Sequence, residues 1–202
     1  MPEGSSPLMR ALGRSEDLML LNILTILTCL PVFTAGASFT ALHCVLRRLL
    51  RDEEGHIAPQ FFRYFRENLR TSTAVWLMLL LPLAVGAADI FLILSGAVRM
   101  PAAYLRAIAA GMLFLISICL YAFPLLAAFK DSARGTVKNA VRLVFGAFPR
   151  TVLMLLIALA LPAFCCIVPA AIPLLLLFGI SIPALLCARL YTPVFERLRG
   201  EK

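Results

Sequence analysis

Charged side chains are scarce in this 202-residue sequence, since Asp, Glu, Lys and Arg make up 15% of it while 61% is hydrophobic. A soluble domain is about 25% charged and about 45–50% apolar. A water-soluble globule of this size could not bury so much apolar surface, and a disordered chain has the opposite composition. The composition therefore predicts an integral membrane protein and excludes a soluble domain and a secreted disulfide scaffold.

The motifs of common enzymes and metal sites are also missing. The sequence has two histidines and six cysteines, without a CxxC pair. It has no GxSxG, HExxH, P-loop or glycine-rich dinucleotide pattern. The cysteines all lie in apolar segments, where we expect small buried residues. We therefore predict that the protein is not an enzyme, and we predict no metal and no cofactor.

Long apolar runs are what the sequence does have. A bilayer core of about 30 Å is crossed by about 20 helical residues. Four runs contain a single charged residue between them, Asp89, and cover 18–46, 71–98, 107–129 and 151–188. The second and third runs each predict one membrane-spanning helix. The fourth is long and rich in proline, and predicts two spans near 151–168 and 171–189 with a turn at 167–171.

The first run has two interpretations. It is either one tilted span or a pair of short helices. Pro31 and Gly36 in its middle favour a break, because proline lacks a backbone donor and glycine tolerates turn angles. We adopt the pair. The predicted fold is an all-α, polytopic transmembrane helix bundle of five to six membrane helices, formed as one domain over residues 1–202.

Basic residues mark the orientation of these helices. The loops 47–70 and 130–150 are the richest in Lys and Arg, so the positive-inside rule places both, and the C-terminus, in the cytoplasm. The N-terminus is cytoplasmic if the first run is a pair of helices and external if it is one span. Because the bases flank the spans, the net charge of +8 indicates contact with anionic lipid headgroups rather than nucleic acid.

Two segments have the pattern of amphipathic helices lying in the plane of the membrane. In residues 60–70, phenylalanines and Leu69 share one arc, and arginines share the opposite arc. A second stripe runs from Val137 to Phe148, and Pro149 is expected to stop that helix. The basic residues of the two helices form a candidate face for docking lipid or a partner: Arg63, Arg66, Arg70, Lys138 and Arg142.

These two segments also suggest a weak internal repeat, 57–98 and 133–168. At a shift of 80 residues Phe65 aligns with Phe145, Thr71 with Thr151 and Pro82 with Pro162, with further matches at Arg70, Leu79 and Leu81. Parallel repeats occur in transporters, and they also result from simple duplication of a helix hairpin.

Polar residues inside the apolar runs form a candidate membrane site. Discontinuous helices expose backbone groups that bind ions or polar solutes, but the same side chains also serve as caps and interhelical hydrogen bonds. The packing interpretation is the stronger one. Asp89 lies about 27 Å beyond Thr71 along a helix, which places it at the outer interface near Arg99 and Arg106. The candidates are Asn22, Thr25, Pro31, Thr34, Gly36 and Asp89.

Four segments resemble the YesL family of bacterial membrane proteins, over about residues 15–85. They are DLMLLN at 17–22, LPVFTAGA at 30–37, RDEEGHI at 51–57 and FRYFREN at 62–68. The resemblance implies a location in the bacterial cytoplasmic membrane and an association with sugar uptake and polysaccharide degradation. The family is a domain of unknown function, so no catalytic residue is carried over.

Together these observations predict a non-enzymatic accessory component linked to carbohydrate uptake. Its expected partners are the lipid bilayer, and either membrane components of sugar transport or a second copy of the chain. The alternative is a small transporter or channel with a polar site at the broken first helix.

Overall fold

The computed structural model describes residues 7–51, 53, 55–98, 100–129, 131–168 and 172–200, and no strand occurs among them. Within these residues, eight α-helices and one short 3-10 turn follow each other. They are α1 (Pro7–Cys29), the turn Val32–Thr34, α2 (Ala35–Leu49), α3 (Ile57–Leu94), α4 (Ala102–Ala128), α5 (Ala133–Gly146), α6 (Phe148–Ile167), α7 (Ile172–Phe178) and α8 (Ser181–Gly200). The all-α prediction is confirmed for this part of the chain.

The first apolar run is broken, as predicted. Pro31 is extended, with φ −74° and ψ 109°, and separates α1 from the 3-10 turn that leads into α2. Gly36, which was expected to belong to the break, is the second residue of α2. A Cβ atom at Gly36 would lie 2.6 Å from both the Ser72 backbone oxygen and the Trp76 Cβ. Gly36 therefore serves the close approach of α2 to α3 rather than the turn.

Helix α2 is the central element of the fold. It contacts α1, α3, α4 and α8, and every residue from Ala35 to Leu46 except Phe39 is buried. Small side chains dominate its first turns, because only small residues let neighbouring helix backbones come so close.

The segment 60–70, predicted as a separate in-plane helix, is the first part of α3. Ile57–Leu94 is one continuous helix of 38 residues, about 57 Å long. No glycine or proline lies between Pro59 and Pro82, so nothing in this stretch ends the helix near residue 70. Its aromatic stripe does not lie as a whole in the acyl region. Phe61 is fully buried in a cluster with Leu21 and Leu42 of the first two helices. The prediction of a free in-plane helix at 60–70 is therefore wrong.

The second amphipathic segment does form a helix of its own. α5 meets α6 at an angle of 102° after Gly146, and Pro149 lies in the first turn of α6 instead of ending α5. The Ser132 side chain caps α5 by accepting a hydrogen bond from the Gly135 backbone N–H at 3.3 Å. The face that α5 buries carries Thr136, Ala140 and Val144, whereas Phe145 and Phe148 are exposed.

Two of the described helices, α3 and α4, are long and apolar enough to cross a membrane, and the number rises to three if α5 and Phe148–Ala160 count as one bent span. The predicted total of five to six spans is therefore not confirmed. Large apolar side chains on the second half of α3 remain exposed, for example Leu81 and Phe91 at 70% each. Such a surface is stable when lipid covers it.

The last apolar run is divided differently from the prediction. Residues 169–171 of the expected turn lie outside the described residues. A second interruption, which the sequence analysis did not predict, occurs at residues 179–180, where α7 ends and α8 begins. The proposed repeat stays a prediction; its first unit lies in one continuous helix, α3, and its second is the bent α5–α6 pair.

Candidate functional site

The side chain of Asn22 holds the junction between α7 and α8. Its Oδ1 accepts hydrogen bonds from the backbone N–H groups of Ile180 at 2.8 Å and Ser181 at 3.0 Å, and its Nδ2 donates to the Leu176 carbonyl at 2.7 Å. Asn22 is fully buried. A helix end leaves backbone groups without partners inside the helix, and this amide supplies one partner for each side of the break.

The hydroxyl groups of other polar residues in the first run form hydrogen bonds with backbone carbonyls of the same run. Thr25 is fully buried and donates to the Leu21 carbonyl at 2.7 Å. Thr34 Oγ1 lies 2.7 Å from the Thr28 carbonyl and 2.8 Å from that of Pro31, on the exposed side of the break. The Trp76 indole N–H donates to the Val32 carbonyl at 2.7 Å. The broken turn is thus tied to α1 and α3.

The predicted polar residues do not come together in one site. Asn22 faces the α7–α8 junction, Gly36 lies in the α2–α3 contact, and Asp89 lines a groove between α3 and α4. Asp89 has no ion pair with Arg106, whose Nε donates to the Ala102 carbonyl of its own helix, and Arg99 lies outside the described residues. Their roles as a binding site stay predictions.

Two buried polar pairs on α2 were missed by the sequence analysis. Ser72 Oγ donates to Thr40 Oγ1 at 2.9 Å, which links α3 to α2. His43 Nδ1 lies 3.2 Å from the Tyr191 hydroxyl, which links α2 to α8. The partners are far apart in sequence and lie in apolar segments, so no motif with a fixed spacing predicts these hydrogen bonds. Both pairs are buried, and this suits interhelical hydrogen bonding inside a bundle.

The arginines predicted as a docking face are exposed. Arg63, Arg66 and Arg70 lie on one side of α3, because their spacing keeps them within a 60° arc at 100° per residue. Arg63 is 3.8 Å from Glu67 and its guanidinium lies over the Tyr64 ring. No ion pair involves Arg66 or Arg70 within the described part of the chain. Lys138 and Arg142 are exposed on α5.

A second group of contacts holds the start of α3, which bears these arginines, against the end of α2. Arg48, at the end of α2, donates to the Tyr64 hydroxyl at 3.3 Å and pairs with Glu53 at 2.9 Å. The hydrogen bond with Tyr64 is the main cause of the raised pKa of Arg48, and the nearby Glu53 carboxylate also raises it. Arg63 also donates to the Tyr64 hydroxyl, at 3.1 Å. Tyr64 therefore joins the start of α3 to the end of α2.

The described residues contain no group of three or more His, Cys, Asp or Glu that could hold a metal ion. His43 and Tyr191 are enclosed by the helix bundle, with Tyr191 fully buried. The buried hydrogen bonds described above hold interrupted helices together, and the exposed arginines of α3 form a basic surface. The absence of enzymatic activity stays a prediction.

A family described as "Protein of unknown function, DUF624" matches residues 18–90, which is less than half of the chain. The matched region contains α2, most of α3 and the part of α1 that bears Asn22. It coincides with the region that resembles the YesL family and is consistent with that resemblance. No curated protein and no solved structure matches this chain.

Proposed function

We propose that the protein is a non-enzymatic accessory component of a bacterial cytoplasmic membrane, which docks a partner protein or anionic lipid through the arginine face of α3. The observation that supports this proposal is the exposed set Arg63, Arg66 and Arg70, on the part of α3 that precedes its apolar stretch. A row of guanidinium groups at a membrane surface attracts carboxylates and lipid phosphates.

The link to carbohydrate uptake rests on the resemblance to the YesL family alone. In this proposal the partners are membrane components of sugar transport, or a second copy of the chain. In this proposal the basic segments 47–70 and 130–150 and the C-terminus lie in the cytoplasm, where such a partner has access to the arginine face.

The test is a triple charge reversal, R63E/R66E/R70E, in the full-length protein. We expect unchanged abundance in the membrane and loss of the proteins that co-purify with the wild type in mild detergent. The control is R106E, which reverses an exposed charge near the start of α4. Equal partner recovery from the triple variant, the control and the wild type would contradict a docking role.

A second candidate is a small transporter or channel, and one observation favours it. The α7–α8 interruption brings backbone N–H groups and a carbonyl to Asn22 inside the bundle. Interrupted helices with such groups form the binding sites of many transporters. Here they are held by Asn22, so transport requires a conformation in which this junction opens.

Thiol labelling tests this second candidate. Thr25 is fully buried one turn from Asn22, so Thr25→Cys in a cysteine-free protein reacts with a water-soluble maleimide only if water reaches the junction. The transporter proposal predicts labelling of Thr25→Cys and its loss in the presence of substrate. Absence of labelling, with full labelling of the exposed control Ala97→Cys, would remove this candidate.

A further inference from the structure

A groove of about 450 Å³ lies between the second half of α3 and the first half of α4, and one carboxylate lines it. Along α3 the lining begins at Leu81 and ends at Asp89, a distance of about 12 Å along the helix axis. Ile108 and Leu115 line it from α4. Except for Asp89, all lining residues are apolar or glycine.

Charge defines one end of the expected ligand. Asp89 is partly exposed, and no ion pair or hydrogen bond joins it to another described residue. A carboxylate beside hydrocarbon is stabilised by a cationic partner. The remaining length of the groove offers only apolar contact, so the complementary ligand has a cationic head and an apolar tail.

The shape of the groove favours a lipid chain over a partner helix. The two walls come together at Gly86, where a Cβ atom would lie 2.6 Å from Met112 Sδ. A helix is at least about 10 Å wide with its side chains. A single acyl chain is much narrower, so it is the occupant that such a groove favours.

Depth in the membrane selects the head group. α3 ends at Leu94, five residues beyond Asp89, and this separation corresponds to about 7.5 Å. The carboxylate therefore lies near the level of the lipid head groups, on the side reached by the turn between α3 and α4. We propose that the groove binds an amine-bearing bilayer lipid of the phosphatidylethanolamine class. Its ammonium pairs with Asp89 and one acyl chain follows α3 towards Leu81.

The experiment uses the full chain, purified from bilayers that contain equal amounts of phosphatidylethanolamine and phosphatidylglycerol, with retained lipids counted by mass spectrometry. Asp89→Asn removes the charge and keeps the shape. We expect it to lower the retained ratio of phosphatidylethanolamine to phosphatidylglycerol by about two- to fivefold, as for loss of a solvent-accessible ion pair.

A second variant tests the groove apart from the charge. Gly111 lines the groove, and nothing lies within 4 Å of a Cβ atom placed there, so Gly111→Leu adds its side chain from an open position of the groove wall. We expect it to reduce retention of both lipids. The matched control is Ala110→Leu, because Ala110 is exposed and points away from the groove at 100° per residue. The thermal unfolding midpoint and the elution volume of each variant are measured first. Lipid retention is compared among variants in which both values equal those of the wild type.

An unchanged lipid ratio in Asp89→Asn would overturn the proposal, and so would wild-type retention in Gly111→Leu. A different outcome is that a polypeptide co-purifies with the wild type in equimolar amount and that both Asp89→Asn and Gly111→Leu lose it. This result would show that a protein helix occupies the groove instead. Failure of this proposal leaves the docking role of α3 untouched, because the arginine face and the groove use different residues.

Discussion

At the scale of single residues, Asn22 joins α1 to the junction between α7 and α8. Its amide is the partner of three backbone groups at the α7–α8 junction, all from residues more than 150 positions away. In the sequence, Asn22 is recognisable as a polar residue in an apolar run. Its partners are not recognisable there, because a single sequence contains no information on which distant backbone groups lack hydrogen bonds.

Replacing Asn22 with Ala should destabilise the protein by about 2–5 kcal/mol, since one buried and two partly buried backbone groups lose their partner. Thr28→Val in the same helix is the control, because the Thr28 hydroxyl bonds only to carbonyls of its own helix, at Leu24 and Thr25. The measurement is the midpoint of unfolding in detergent. A shift for Asn22→Ala no larger than that for Thr28→Val would show that water or a rearranged loop replaces the amide.

At the scale of helices, the sequence predicts breaks better than continuity. Pro31 marked the end of α1 because it lacks a donor, and the break lies there. The pattern of residues 60–70 is the same for an in-plane helix and for the first turns of a long helix, so hydropathy alone could not distinguish them. The interruption at 179–180 has Gly179 and Pro183 as local signals, since glycine is common after a helix and proline in the first turn of the next. The predicted turn was placed elsewhere by the other three prolines of the run, Pro162, Pro169 and Pro173.

The contact between α2 and α3 gives a prediction at this scale. Gly36→Ala places a methyl group 2.6 Å from the α3 backbone, so the helices must separate, at a cost of about 1–3 kcal/mol. Gly111→Ala is the control: its Cβ meets nothing within 4 Å, and alanine favours a helix by up to about 1 kcal/mol. The midpoint temperature of thermal unfolding should fall for Gly36→Ala and should stay the same or rise for Gly111→Ala. Midpoints that move together would contradict the close packing.

At the scale of the whole molecule, hydropathy predicted helices that are long and apolar enough to cross a membrane, and the number of crossings is not confirmed. α3 and α4 satisfy the requirements for spanning helices, while the other apolar runs are divided into shorter or bent pieces. The short, buried α2 is the clearest reason: a segment enclosed by other helices is apolar for the same reason as a segment enclosed by lipid. Composition alone does not separate the two environments.

The most direct measurement is the sidedness of the two ends of α3 in sealed cells. In a cysteine-free background, His56→Cys and Ala97→Cys place one exposed thiol at the start of α3 and one in the turn that follows it. If α3 crosses the membrane with the basic loop 47–70 inside, an impermeant maleimide labels Ala97→Cys from outside and labels His56→Cys only after the cells are opened. Labelling of both positions from the same side, with a permeant reagent as the reactivity control, would contradict the account.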